Sequence, residues 1–279
     1  MKFGDCRIEI IPDTEFRLDG GAMFGVVPKV LWERENPSDK LNRILMNMNC
    51  LFVETANDKI LVETGIGEKW TPKEVETFGI SRKKSFRESL LEIAGCAPEE
   101  ITFVVNTHLH FDHAGGNTVL DKSGTVVPQF PNARYLVSES EFRHATSPHE
   151  RDRASYRNEN WQPLIKAGIL ELMPDFYELS GVLTMQQVRG HNETMQTARL
   201  TQGDEILYGF SDLVPMVSHL KLPWIAGFDL FPVETLEAKR NLLNAAAEGN
   251  WFCLFYHEPK SALCKLELNQ GRFSAIAAC

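Results

Sequence analysis

Residues 106–116 are Asn-Thr-His-Leu-His-Phe-Asp-His-Ala-Gly-Gly, and three of the chain's eight histidines fall within six positions of this stretch. Its chemistry-bearing side chains are those of His108, His110, Asp112 and His113. Imidazole nitrogens and carboxylate oxygens are ligands that zinc and similar divalent ions prefer, and a mixed set suits a catalytic site better than a closed structural one. The segment therefore predicts a metal site.

The segment follows residues 101–105, Ile-Thr-Phe-Val-Val, a short apolar run that is typical of a buried strand. The ligand candidates thus lie on a loop that leaves a strand. His108 and His110 point the same way if the chain stays extended, whereas Asp112 and His113 are adjacent and must aim differently. Such a loop can serve two neighbouring ions. Four ligand-type residues at this spacing favour a metal over the alternative of ordinary hydrogen-bonded or surface histidines.

Composition restricts the class of protein. With 43% hydrophobic and 24% charged residues the chain matches a globular protein, and it has no apolar stretch of membrane length. The formal net charge of −9 offers no basic surface for nucleic acid. Asp5 and Glu9 interrupt what a secretory signal would need as an apolar core. We therefore expect neither nucleic-acid nor membrane partners.

The six cysteines include no Cys-x-x-Cys pair and mostly have apolar or small neighbours, as reduced core cysteines do. This usage predicts a cytoplasmic protein. The alternative, cysteine as a metal ligand, is disfavoured because paired spacing is missing.

Strand and helix patterns alternate in both halves of the chain. Predicted strands are residues 51–54, 59–63, 101–105, 134–137, 183–188, 195–200, 205–210 and 251–256. Capping boxes at Ser85 and Ser138 predict helix starts, the first helix stops at Gly95, and a further helix runs from Pro232 to Gly249. The pattern favours an α/β or α+β fold with packed sheets and helices outside. No linker is visible, so we expect a single domain over residues 1–279.

Further ligand candidates follow other predicted strands directly. His191 comes after the strand at 183–188, Asp212 after that at 205–210, and His257 after that at 251–256. Strand ends are places where a rigid scaffold can present side chains to a shared cleft.

At this point the chain resembles the metallo-β-lactamase superfamily of hydrolases, whose His-x-His-x-Asp-His signature matches residues 108–113. The Gly-His at 190–191, Ser-Asp at 211–212 and Tyr-His at 256–257 extend the resemblance along the chain. The resemblance implies an αββα four-layer sandwich with two divalent metal ions. On that implication one ion is held by His108, His110 and His191, the other by Asp112, His113 and His257, and Asp212 bridges both.

The chain departs from the family pattern in two places. Glu63 stands where the family usually has Asp, and the longer side chain changes the hydrogen bond it can offer a ligand histidine. The commoner Gly-His-Thr-Pro-Gly-His stretch is here Gly-His-Asn-Glu-Thr-Met at 190–195, so Met195 replaces the second histidine. Residues 23–28, 211–215 and 222–224 look most like the lactonase and organophosphate-hydrolase-like branch.

These features predict a dinuclear metal-dependent hydrolase. A water between two cations loses a proton near neutral pH and becomes a nucleophile. We expect Asp112 or Asp212 to be catalytic, orienting that hydroxide and carrying a proton to the leaving group. We expect the ions to be zinc or, since the ligand set accepts them, manganese, iron or cobalt.

The substrate is expected to be a small neutral ester, lactone or phosphotriester, because three candidate rim segments are rich in apolar residues: Met23–Val27, Leu213–Val217 and Trp224–Phe228. The same residues could instead be core or form a homodimer contact. Two other functions stay open, namely a β-lactam or thioester hydrolase and a catalytically silent metal-containing protein that binds a small molecule. Among the other histidines, His219 is expected in the core and His144 and His149 in solvent.

Overall fold

The computed structural model describes residues 1–278, and Cys279 lies outside the described residues. The chain forms strands β1 (Lys2–Phe3), β2 (Cys6–Asp19), β3 (Arg43–Glu54), β4 (Lys59–Val62), β5 (Phe103–Val105), β6 (Thr118–Leu120), β7 (Val126–Pro128), β8 (Arg134–Ser138), β9 (Leu170–Met173), β10 (Phe176–Leu179), β11 (Leu183–Gln187), β12 (Gln196–Gln202), β13 (Glu205–Gly209), β14 (Phe252–Leu254), β15 (Leu263–Asn269) and β16 (Arg272–Ala277). Its α-helices are α1 (Gly20–Phe24), α2 (Lys29–Trp32), α3 (Pro72–Thr77), α4 (Phe86–Ala94), α5 (Phe111–Ala114), α6 (Glu139–Thr146), α7 (Gln162–Ala167) and α8 (Pro232–Glu248).

The strands form two seven-stranded sheets and one small hairpin. The first sheet has the order β1-β2-β3-β4-β5-β8-β9, the second the order β10-β11-β12-β13-β14-β15-β16, and β6 pairs with β7. Both large sheets are mixed. In the first sheet β4, β5, β8 and β9 pair in parallel, and in the second sheet β13 and β14 do so. All other neighbouring strands in these two sheets are antiparallel. The predicted mixed α/β architecture with packed sheets is confirmed.

The core lies between the two sheets and on their helix-covered faces. One buried apolar cluster joins residues of both sheets, such as Met46 of β3 and Leu207 of β13. A second cluster joins Tyr208, the next residue of β13, to Leu243 and Ala246 of α8. Because successive side chains of a strand point to opposite faces, β13 is covered on both faces, which explains the apolar run at residues 206–208.

Local sequence signals place several elements within one or two residues. The hairpin of β3 and β4 pairs Leu51 with Val62, as the two apolar runs predict. At α4 the Ser85 side chain accepts from the amide of Glu88, and the helix ends at Gly95, whose φ of 64° is left-handed. Only a residue without Cβ adopts this conformation freely, so the helix stops there.

Four expectations need correction. The strand predicted at 51–54 begins eight residues earlier, at Arg43. The predicted strand at 101–105 begins only at Phe103, because Ile101 ends a short 3₁₀ turn. The strand at 251–256 is shorter, spanning Phe252–Leu254. At α6 the Ser138 side chain accepts from the amide of Glu141, but the Glu141 carboxylate does not complete the capping box. That carboxylate accepts a hydrogen bond from the amide of Leu109 instead.

Five of the six cysteines, Cys6, Cys50, Cys96, Cys253 and Cys264, are buried free thiols. The histidine and carboxylate clusters described below contain none of them. Among residues 1–278, no helix has the length and the hydropathy needed to cross a lipid bilayer.

Candidate metal centre

All seven predicted ligands converge at one edge of the sandwich. His108 and His110 follow β5, and the chain then turns into the short helix α5, which carries Asp112 and His113. The other three ligands follow the ends of β11, β13 and β14, and they are His191, Asp212 and His257. They form two groups whose ligand atoms lie within 4.8 Å of one another, with Asp212 belonging to both.

The first group, called cluster one, consists of His108, His110 and His191. The Nε2 atom of His191 lies 3.1 Å from Nδ1 of His110. The Oδ2 atom of Asp212 lies 3.4 Å from the same His191 nitrogen and 4.0 Å from Nε2 of His108. These nitrogens therefore surround a space that one carboxylate oxygen also faces.

The second group, called cluster two, consists of Asp112, His113 and His257. The Nε2 atoms of His113 and His257 lie 3.2 Å apart. The Oδ1 atom of Asp212 lies 3.0 Å from the first and 3.1 Å from the second. The Oδ2 atom of Asp112 lies 3.6 Å from Nε2 of His257. Asp212 thus turns one oxygen to each cluster.

These residues fit a pair of divalent cations. Ligand bonds of about 2.0 to 2.1 Å in a tetrahedral arrangement put neighbouring ligand atoms about 3.3 Å apart, and the separations here range from 3.0 to 4.0 Å. Among residues 1–278, Nε2 of His108 is one of the buried side-chain atoms without a hydrogen-bond partner. Since an unpartnered buried polar atom is costly, a cation that accepts its lone pair explains why it is tolerated.

The protonation of the histidines differs within the centre. Burial lowers the pKa of His108 and His110 well below the ordinary value, so both rings are neutral and keep lone pairs for a cation. Burial also opposes a charge on His113, but the carboxylates of Asp212 and Glu63 overcome it and raise its pKa well above the ordinary value. The centre without metal therefore holds protons that a cation must displace.

Cluster one is supported from behind by a second carboxylate. The Nδ1 atom of His191 lies 2.9 Å from Oδ1 of Asp229, which receives a hydrogen bond of 2.7 Å at Oδ2 from Thr235. A carboxylate behind a ligand histidine fixes its tautomer and strengthens it as a ligand. Sequence reasoning missed Asp229, because it lies in an irregular loop and belongs to no recognisable motif.

Cluster two has weaker partners. The Nδ1 atom of His257 lies 3.1 Å from the backbone oxygen of Asn47, and Nδ1 of His113 lies 3.5 Å from Oε1 of Glu63. The Glu63 carboxylate also accepts the amide of Thr107 at 2.9 Å, so it supports the start of the ligand segment. Glu63 has a φ of 67°, which is unusual for a residue with a side chain and marks it as a constrained position.

Glu141 joins the two loops that carry cluster one. Its buried carboxylate accepts from the amide of Leu109, which lies between two ligands, at 2.8 Å, and from the side chain of Asn192 at 3.2 Å. The hydroxyls of Thr194 and Tyr156 donate to it as well. Burial raises the pKa of Glu141, and these donors counter that effect. The sequence pattern around Glu141 was noticed as a capping box, but it predicted a helix start and gave no indication that Glu141 supports the metal centre.

Residues 192–195, which differ from the family's usual sequence, are held in place by local hydrogen bonds. Asn192 accepts the amides of Thr194 and Met195 at 2.9 and 2.6 Å through its Oδ1 atom. The Met195 side chain is fully buried and packs in the apolar cluster under α8. The missing second histidine is therefore replaced by core packing, and no ligand of either cluster is lost.

A cavity of about 210 Å³ opens onto the centre. Each predicted rim segment contributes to its wall, through Met23, Pro215, and both Ala226 and Phe228. Sequence reasoning missed the other wall residues, which are Leu18, Met46, Phe78, Phe111, Arg151, Asp152, Ala154 and Ser155. Elsewhere in the rim segments, Phe24, Leu213, Val214 and Trp224 are core residues. The wall is predominantly apolar, as a pocket for a neutral molecule requires.

The histidines outside the centre divide into two groups. His219 is buried in the core as predicted, stacked on Phe24 and hydrogen-bonded to the backbone oxygen of Met23 at 2.8 Å. His149 is exposed. The prediction for His144 was wrong, because its Nε2 lies 2.7 Å from the buried carboxylate of Asp152, which lines the cavity. The hydrogen bond to Asp152 raises the pKa of His144, which favours an ion pair.

Comparison with known proteins agrees with this geometry. The family model of the Metallo-beta-lactamase superfamily matches residues 45–196, more than half of the chain. The chain belongs to the metallo-β-lactamase superfamily, whose members bind divalent metal ions, typically zinc.

Similar sequences are named N-acyl homoserine lactonases. One from Bacillus thuringiensis is 28% identical over 109 residues, which is 36% of this chain and 44% of that protein. The lactonase AttM of Rhizobium johnstonii is 26% identical over 171 residues, 59% of this chain and 61% of that protein. The matches therefore span less than two thirds of these relatives.

Similar solved structures extend over the whole chain. A probable metal-dependent hydrolase from Staphylococcus aureus has a TM-score of 0.89 and 25% identity, and the match covers 100% of both chains. AidC, a dizinc quorum-quenching lactonase, has a TM-score of 0.78 and 20% identity over 100% of this chain and 96% of its own. The hydrolase AbOPH has a TM-score of 0.82 and 19% identity, and the match covers 100% of this chain and 96% of that one. At these identities, the similarity to AidC and AbOPH shows a shared fold. The predicted membership of the metallo-β-lactamase superfamily is confirmed, and the similar sequences are lactonases by name.

Proposed function

We propose that the chain is a dinuclear metal-dependent hydrolase whose substrate is a small neutral lactone or ester. The observation that carries the proposal is the position of Asp212, whose Oδ2 faces cluster one and whose Oδ1 faces cluster two. A carboxylate between two nitrogen-rich pockets has the position needed to bridge two cations a few ångströms apart.

In this proposal each cluster would hold one cation, with Asp212 serving both. When bound, the cations would supply a water of lowered pKa as the nucleophile near neutral pH and would polarise the bond under attack. The remaining work belongs to side chains. The Oδ2 atom of Asp112 faces His257 at 3.6 Å, which leaves Oδ1 to accept a proton from the nucleophile and to deliver it to the leaving-group oxygen.

The wall of the cavity favours a substrate with an apolar substituent. Phe78 and Phe111 pack against each other with ring centroids 5.4 Å apart, and both line the cavity. Met46 and Phe228 also contribute apolar surface. Among the classes that the centre could hydrolyse, we place N-acyl homoserine lactones first, because they combine a neutral lactone with an apolar acyl chain and because similar proteins carry that activity in their names.

The test is a parallel hydrolysis panel on the zinc-loaded protein. The substrates are an N-acyl homoserine lactone, an aryl dialkyl phosphotriester, a β-lactam and a glutathione thioester, and bound metal is counted by elemental analysis. We expect two zinc ions per chain and fastest turnover of the lactone. Turnover of the β-lactam or thioester alone would contradict the proposed substrate class. Stoichiometric ligand binding without product would contradict catalysis.

A further inference from the structure

The irregular segment between β13 and α8 forms one side of the cavity. Residues 213–231, called here the cavity loop, contribute Pro215, Ala226 and Phe228 to the wall. The same loop carries Asp229, the partner of His191. Since the loop has little regular structure beyond a short 3₁₀ turn at Val217–Leu220, its shape depends on contacts with the elements below it.

Lys239 of α8 makes several of these contacts. Its side chain is buried, with 1% of the residue exposed. Its Nζ atom donates to the backbone oxygens of Trp224 at 2.7 Å, Lys221 at 2.9 Å and Leu222 at 3.3 Å. Three backbone carbonyls thus converge on one nitrogen. An apolar side chain at position 239 would leave these carbonyls without this donor.

A buried lysine is costly, which makes its role in the loop informative. Burial lowers the pKa of Lys239 to about 7, and both its charged and its neutral form carry N–H groups that can donate to carbonyls. Helix α8 would bury an unbranched apolar residue at this position at a lower desolvation cost. The presence of a lysine at position 239 is therefore better explained by the hydrogen bonds from its Nζ atom to the cavity loop than by core packing.

Helix α8 holds the cavity loop at two points. Thr235 lies one helical turn before Lys239 on the same face of the helix, and it donates to Asp229 at 2.7 Å. Thr235 therefore fixes the end of the loop that supports the metal centre. Lys239 fixes residues 221–224, which end two residues before Ala226 and four before Phe228 of the cavity wall.

We propose that Lys239 is a positioning residue that sets the shape of the apolar wall at Ala226 and Phe228. Through this wall Lys239 determines how well a long apolar substituent of the substrate is accepted. The attachment of the cavity loop by Lys239 can be tested without a substrate. The effect of Lys239 on substrate acceptance rests on the function proposed above.

The first measurement is limited proteolysis with trypsin. Lys221 is exposed and is followed by Leu222, so the bond after Lys221 can be cut once the loop loosens. We expect cleavage at this bond, followed by mass spectrometry, to be about tenfold faster in Lys239→Met than in wild type. The matched control is Arg240→Met on the exposed neighbouring position of α8, which should cleave at the wild-type rate.

The second measurement compares two lactones that differ only in acyl length, butanoyl and decanoyl homoserine lactone. Lys239→Met should raise KM for the decanoyl substrate about tenfold, while kcat and KM for the butanoyl substrate stay within about threefold of wild type. Zinc content should stay at the wild-type value, because Thr235 still holds Asp229.

Unchanged cleavage after Lys221 in Lys239→Met would overturn the attachment of the loop by Lys239. An equal loss on both lactones would overturn its role in the cavity wall. If wild type hydrolyses neither lactone, the proposed function has failed, and the trypsin measurement still decides whether Lys239 holds the loop. Should Lys239→Met not show the native circular dichroism spectrum, Lys239→Gln replaces it in both measurements. Its shorter side chain cannot reach all three carbonyls, so changes in the same direction are expected.

Discussion

The two ligand clusters share Asp212 but differ in what stands behind their histidines. In cluster one, His191 faces the carboxylate of Asp229 at 2.9 Å. In cluster two, His257 faces only a backbone oxygen at 3.1 Å, and the nearest carboxylate, Glu63, lies 3.5 Å from His113. A carboxylate partner raises the basicity of a ligand histidine, whereas a carbonyl mainly fixes its orientation. The clusters can therefore be perturbed separately.

Removing the shared residue should have the largest effect. Asp212→Ala deletes the oxygen facing each cluster, so we expect loss of both bound cations and a fall in kcat/KM of at least about a thousandfold. Elemental analysis and steady-state kinetics measure the two losses. The far-UV circular dichroism spectrum should stay near native, because Asp212 follows β13 and belongs to no strand.

The control for this substitution is Asp204→Ala at an exposed turn, which should behave as wild type. Retained turnover in Asp212→Ala would contradict the whole assignment of the centre.

Asp229→Asn should weaken one cation and spare the other. Loss of a carboxylate behind a ligand histidine typically costs 10- to 100-fold in metal affinity, and here it acts on cluster one alone. Titration with a zinc chelator should show two steps of zinc release. The apparent affinity of one step should fall by about 10- to 100-fold, and that of the other should stay at the wild-type value. If both steps moved equally, the clusters would not be separable in the way that the geometry indicates.

Glu63→Gln acts mainly on cluster two, where Glu63 pairs with His113, although its carboxylate also lies near His108. The amide keeps an oxygen for the Thr107 amide but removes the charge near His113. Because that contact is longer than the one behind His191, we expect a shift of about tenfold, in the other release step. A shift of the same step in both variants would contradict the pairing of Glu63 with cluster two.

The smallest effect concerns pH. Burial acts against a charge on His191, but the carboxylates of Asp212 and then Asp229 raise its pKa to about 8, above the ordinary value of 6.5. A raised pKa stabilises the folded protein fully below pH 6.5, and this contribution is lost as the pH rises through 8. For the metal-free protein, denaturant unfolding should give about 1 kcal/mol less stability at pH 9 than at pH 7 from this group.

The same measurement separates the two clusters. Asp229→Asn should reduce this pH dependence, whereas Glu63→Gln should leave the part due to His191 unchanged. An identical pH profile for wild type and Asp229→Asn would show that Asp229 does not act on His191.

The convergence of the seven candidate ligands could be predicted from the sequence because each follows a strand whose apolar residues are visible locally. His191, Asp212 and His257 all lie within four residues of such a strand end. In the second sheet, β11, β12, β13 and β14 were placed within two residues for the same reason, whereas β10, β15 and β16 were not predicted. Strand β2 was not predicted, since a register shift between Pro12 and Glu15 disturbs the alternation of its apolar residues.

The supporting residues could not be found this way. Asp229 reaches His191 only because α8 fixes the preceding loop, and Lys239 meets its carbonyls through the same long-range packing. Glu141 showed a helix-start pattern, but the partner of its carboxylate, Leu109, is 32 residues away in the chain. Such contacts depend on tertiary structure and leave no local periodicity to detect.

Phe111 links the chemistry of this protein to its selectivity. It lies between His110 and Asp112 in the chain, and its ring packs on Trp70 and Phe78 while lining the cavity. A substitution that enlarges the pocket here would shift helix α5 and with it Asp112 and His113 of cluster two. Divergence toward new substrates should therefore accumulate in the cavity loop, where the backbone can change while the sequence from His108 to His113 is kept.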